Sequence, residues 1–197
     1  MLLKLLFGRI SVSLVIFVIF FTIELLTLPH YGVNWDTINH LPRGQTYLHY
    51  FLTGKRDFSD LSPVRRYYQD PESIWTSTDV QGENNRRSIY QDPNSSLDWY
   101  LENDGNGHPP LSDIISSTFN LVLFQQIGLI NDIDSHRVYG ILLSSLLVAL
   151  IFYWGSTIYG KFAGLVSVIV LATYPLFFSE SHFNNEKDIP EGFEDYI

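Results

Sequence analysis

The chain has 197 residues, 46% of them hydrophobic and 15% aromatic, with a formal net charge of −9. Such a balance excludes a nucleic-acid partner, because affinity for a polyanion rests on clustered Lys and Arg, and here no more than two ever stand together, as in Arg65–Arg66 and Arg86–Arg87. With no cysteine, the chain has no disulfide framework, thiol nucleophile or thiolate metal site.

The first apolar block follows Lys4 and Arg9 and runs through Leu28, interrupted only by Glu24. A helix over residues 5–28 would reach roughly 36 Å at ~1.5 Å per residue, enough to cross a ~30 Å hydrocarbon core. A charged start and apolar centre also suit a signal peptide, but "TIELLTLPHYG" offers no small-x-small cleavage site, so the block reads as an uncleaved anchor. Glu24 reads as a snorkelling or capped acid near the interface.

After "NWDTINH", Pro42 suits the first turn of a short surface helix, with Leu48, Phe51 and Leu52 as its apolar side and Gly54 as its stop. Residues 56–106 are polar and turn-rich, with a loose echo between "RRYYQDPES" and "RRSIYQDPNS" that reads as a pair of similar Asp-Pro turns rather than a ligand-binding repeat. In "GHPPLSD", Pro109 and Pro110 stiffen the entry to a helix. Leu111, Ile114, Ile115, Thr118, Phe119 and Val122 then recur at helical spacing, opposite a stripe of Asp113, Ser116, Ser117 and Asn120. This amphipathic segment is expected to lie along a membrane interface, with its apolar face in lipid or against the bundle. His108 is expected to brace the corner by hydrogen bonding rather than to act as a base.

Val138–Gly160 and Phe162–Ser179 are uncharged apolar blocks separated by a short Gly-containing turn, the pattern of a membrane hairpin with Lys161 at its tip. Lys4, Arg9 and Lys161 then fall on one side, which reads as cytoplasmic. With three crossings, parity places segment 29–136 and tail 180–197 on one side, so that Asp36 and Asp188 can meet at a single membrane surface. The expected organisation is an all-α membrane protein with an anchor at 1–28, an outer loop with amphipathic interfacial helices at 29–136, a transmembrane hairpin at 137–179 and a second outer segment from 180 to 197.

The order of "NWDTINH", "HPPL", the hairpin beginning "HRVYGILLSSLLVAL" and "NNEKDIP" resembles the start of a GT-C-type integral membrane glycosyltransferase. It is similar to the group that holds the protein O-mannosyltransferases and the aminoarabinose transferases of lipid A. Members of that group have further membrane helices and a C-terminal domain, so the resemblance implies an N-terminal fragment, inactive alone. It further implies transfer of a sugar from a polyprenyl-phosphate donor to a lipid, glycan or protein hydroxyl, at the periplasmic or exterior face of the plasma or inner membrane.

Carried over by motif, Asp36 is the candidate general base, and Asp188 a second acid organising the acceptor or the phosphate. Displacement at an anomeric carbon needs a carboxylate to take the hydroxyl proton, while a phosphate leaving group needs positive charge but no protonating acid. Lys187 or Arg137 is a candidate phosphate contact, and His108 would help shape the cavity wall. Apart from the resemblance, Asp36 reads equally well as a loop acid or helix cap. No cofactor is expected; the carboxylates are scattered and no His-x-x-x-His pattern occurs, and the resemblance implies transfer without a metal, with the family's members that use a divalent cation as the alternative. A transporter or lipid-flipping protein and a membrane-anchored binding module are the rival classes.

Overall fold

The computed structural model describes residues 2–33, 37–61, 86–92, 94–103 and 110–183. Helices make up the described regular structure, and the only strand-like pairing among these residues is a single bridge between Asp57 and Ser96. The chain divides into two compact units, Met1–Gly32 with Gly140–Asn184 and Val33–Tyr139 with Asn185–Ile197.

In the first unit, α1 (Leu2–Thr27) continues into a 3-10 turn at Leu28–His30. Helix α5 (Asp132–Ile158) begins in the second unit and enters the first at Gly140. Gly8–His30 and Asp132–Ile158 are long and apolar enough to cross a membrane. Leu14, Val18 and Leu26 stand exposed on α1, the arrangement of a helix whose solvent is hydrocarbon. Phe20, Val148, Phe152 and Val168 form the unit's buried core, joined by Phe177 and Phe178.

Gly160, at a φ of 94°, turns the chain between α5 and α6 (Lys161–Ala172), a conformation a side chain would resist. The helices then approach through glycines: a Cβ on Gly155 would lie 3.2 Å from Gly164 Cα, and one on Gly164 would lie 2.8 Å from the Ser156 nitrogen. Small residues at such a crossing allow the backbone contact on which helix association in lipid depends. The third apolar block departs from a single straight helix. It breaks at Thr173–Tyr174, and α7 (Pro175–Phe183) leaves at 63° to α6. Pro175 is the physical cause, since its ring clashes with the preceding turn and it has no N–H to continue the ladder.

The second unit is built on α2 (Thr37–Thr53), α3 (Leu97–Asn103) and α4 (Leu111–Asn120), the last extended by a π-helical turn at Leu121–Gln126. Pro42 lies inside α2 rather than in its first turn, because the helix begins five residues earlier, at Thr37. The stop is as expected: Gly54, at a φ of 76°, donates its N–H to the Tyr50 carbonyl at 2.8 Å.

Both α2 and α4 bury their polar stripes. On α4, Asp113, Ser116, Ser117 and Asn120 are fully buried, while Leu111 is 64% exposed. On α2, His40, Arg43, Gln45, Thr46 and His49 are buried, while Phe51 is 66% exposed. The amphipathic periodicity expected of α4 is present, with its polar side turned to the protein interior.

Candidate functional site

Helices α2 and α4 run side by side in the same direction. His40 and Arg43 lie opposite Asp113, Gly44 lies against Asp113 and Ser117, and Gln45 reaches Asn120. The N-terminal ends of the two helices therefore fall together. Gly44 makes this contact possible, since a Cβ there would collide with the Asp113 backbone carbonyl and the Ser117 hydroxyl.

At this crossing the Arg43 guanidinium donates from Nε to Asp113 Oδ2 and from Nη2 to His40 Nδ1, the latter at 2.9 Å. Because that ring nitrogen accepts, it carries no proton, and the 3.4 Å approach of His40 to Asp113 is a neutral neighbour rather than an ion pair. The Arg43–Asp113 pair is buried, with side-chain exposures of 5% and 0%. Such a pair is retained only where attraction and added hydrogen bonds offset desolvation.

A second polar network lies further along both helices. Gln45 Nε2 donates to Asn120 Oδ1 and His136 Nε2, each at 2.9 Å. His136 Nδ1 donates to the Asp132 carbonyl at 2.9 Å, so this ring too is neutral, with Nε2 as acceptor. Asn120 Nδ2 faces Asp132 Oδ1 at 2.7 Å and Ser135 Oγ at 2.8 Å, and the Ile89 N–H donates to Asp132 Oδ2 at 2.7 Å. Gln91 Nε2 donates to Gln45 Oε1 at 3.1 Å. The network joins α2, α4, the start of α5 and the turn at 88–91, and its members satisfy one another. That makes it a scaffold that holds the crossing in register. The loop after α2 carries a further acid: Asp57 is held below the usual carboxylate range, first by the Ser59 hydroxyl at 2.6 Å and then by the Ser59 N–H at 3.1 Å.

No family model, curated protein or solved structure matches this chain.

Of the residues singled out from the sequence, Arg137 is described and is buried, with Nη1 3.5 Å from Asp134 Oδ1 one turn away. Asp36, His108, Lys187 and Asp188 lie outside the described residues, as does the first copy of the Asp-Pro echo. The second copy supplies Ser88 and Gln91 to the buried network. No group of three or more His, Cys, Asp or Glu suited to a metal occurs among the described residues.

Sequence reasoning passed over His40, Arg43, Gln45, Asp132 and His136. A signal for part of the site was present: Asp113, Ser116, Ser117 and Asn120 recur at helical spacing as regularly as the apolar residues do. Periodicity identifies two faces but not which one is inside.

Proposed function

We propose that this chain forms part of a GT-C-type membrane glycosyltransferase that moves a sugar from a polyprenyl-phosphate donor to an acceptor hydroxyl at the outer face of a membrane. Asp36 takes the hydroxyl proton, the freed oxygen bonds to the anomeric carbon, and the bond from that carbon to the phosphate oxygen breaks. The lipid phosphate leaves as an anion and needs no proton. Asp188, Lys187 and Arg137 are assigned to acceptor and phosphate organisation, and His108 to the wall beside Asp36. In this reading α1, α5 and the bent α6–α7 pair make three crossings, and α4 lies at the interface.

The observation that carries the proposal is the parallel α2–α4 crossing. Asp36 immediately precedes α2, the His108–Pro109–Pro110 corner immediately precedes α4, and the two helix starts fall together with Arg43, His40 and Asp113 packed just behind. A crossing with polar groups inside and apolar side chains outside suits chemistry on a lipid-borne substrate. Helix N-termini carry partial positive charge of the sign a phosphate requires.

A second reading, a transporter, is favoured by Glu24, an acid fully buried in a helix able to span a membrane. The test that separates them is Asp36→Asn in the full-length protein. The amide keeps the size and much of the hydrogen bonding of a cap but accepts no proton. Transfer of radiolabelled sugar from the lipid donor should fall by ~10²–10⁴ while membrane insertion and thermal stability hold. A folded variant that retains transfer removes Asp36 from the mechanism, and a wild-type protein with no transfer to any acceptor favours the transporter.

A further inference from the structure

Two helices of the first unit end at one level, and the pairing of their side chains shows where. Glu24 of α1 meets the Ser144 and Ser145 hydroxyls of α5. Phe20 shares a buried cluster with Val148 and Phe152, and Ile16 and Val12 pack against that cluster. The two helices are therefore antiparallel, and equal steps, back from Glu24 to Arg9 and onward from Ser144 and Ser145, lead to Tyr159 and Gly160. At ~1.5 Å per residue, Arg9 stands roughly 22 Å from the level of Glu24. Both apolar spans stop here, one beginning at Gly8 and the other ending at Ile158. Gly160 then turns the chain, and Lys161 opens α6.

This level holds two cations and no acid. Glu24 is the only acid in α1, α6 has none, and those of α5, Asp132 and Asp134, lie at its opposite end. Neither Arg9 nor Lys161 forms an ion pair with a described residue, and Arg9 Nε is covered by the protein without a hydrogen-bond partner among those residues. Packing, not a counterion, holds the Arg9 guanidinium in place. Its planar fork of donors matches the oxygens of a phosphate.

Lys161 is exposed and follows Tyr159 and precedes Phe162 at the turn, the two most exposed large apolar side chains among the described residues. Trp154 is exposed shortly before them. Aromatic rings at the end of a span settle where acyl chains meet headgroups.

We propose that this end of the unit is a docking site for an anionic phospholipid, its headgroup phosphate held by Arg9 and Lys161 and its acyl chains beside the exposed rings. Charge complementarity selects the anionic lipid. A zwitterionic headgroup would bring a further cation to a level that already has two and offers no acid to receive it. The site is independent of the reaction proposed above and stands whether or not that reading holds.

The test uses the full chain, which has no cysteine of its own, with a fluorophore on Thr157→Cys, an exposed position one turn before Lys161. The protein is placed in phosphatidylcholine vesicles, and phosphatidylglycerol with brominated acyl chains is added in increasing fraction. Half-quenching should come at a lower fraction than with brominated phosphatidylcholine. Arg9→Gln and Lys161→Gln should each raise that fraction about fivefold, whereas Lys55→Gln, which removes a charge from the second unit, should leave it unchanged. Equal quenching by the two lipids, or no change in either site variant, overturns the proposal. Should Arg9→Gln not fold, Lys161→Gln decides alone. Inorganic phosphate at constant ionic strength should not relieve the quenching; if it does, the site takes the free anion and the lipid proposal fails.

Discussion

Arg43 and Asp113 stand 70 positions apart in the chain and meet as a buried ion pair where α2 and α4 cross. Each lies one helical turn or less from a residue that sets the spacing of the crossing, Gly44 on one side and Ser117 on the other. The pair and the close approach are thus one structural feature, and each can be tested separately.

Asp113→Ala should lower stability by ~3–5 kcal/mol, because it leaves the Arg43 charge buried without its counterion. Arg43→Met combined with Asp113→Leu should recover a large part of that loss, since neither charge is then desolvated. Unfolding of the wild type, Asp113→Ala and the double variant in the same detergent makes the comparison, and a double variant no better than Asp113→Ala would show that the pair does not act as a unit.

Gly44→Ala should force the helices apart, at a cost of ~1–3 kcal/mol, because its Cβ would overlap the Asp113 backbone, which cannot rotate away. Gly8→Ala is the internal control, since nothing lies within 4 Å of a Cβ at that position. Thermal melting should separate the two substitutions clearly.

The outward apolar face of α4 should contact lipid. A fluorophore at Val122, which is 39% exposed, should be quenched by brominated acyl chains. Ile115→Asp with Phe119→Asp should reduce that quenching by placing charge where apolar contact is proposed. Equal quenching before and after would place the segment away from the bilayer.

Because the chain has no cysteine, single introduced thiols report topology without background. With three crossings, cysteines at Ser59 and Glu186 should react with an impermeant reagent in intact cells, and one at Lys161 should not. Opposite reactivity of Ser59 and Glu186 would show that the α6–α7 pair re-enters on the side it left.

Local chemistry alone determined the two helices long and apolar enough to cross a membrane, Gly8–His30 and Asp132–Ile158, since each depends on an apolar run read directly along the sequence. It also determined the glycine turns at Gly54 and Gly160 and the two-faced character of α4, because each depends on residues close in sequence. The direction in which α2 and α4 turn those faces was decided by the tertiary structure. A helix in water buries its apolar stripe and one bordered by lipid buries its polar stripe, and the same 3.6-residue period serves both.

Tertiary structure likewise decided the partners of Asp113 and Glu24. The residues that meet them, Arg43 for one and Ser144, Ser145 and Ser181 for the other, come from distant parts of the chain. Nothing in the spacing around either acid encodes those contacts; they follow from the need to satisfy a buried polar group wherever packing brings a donor within reach.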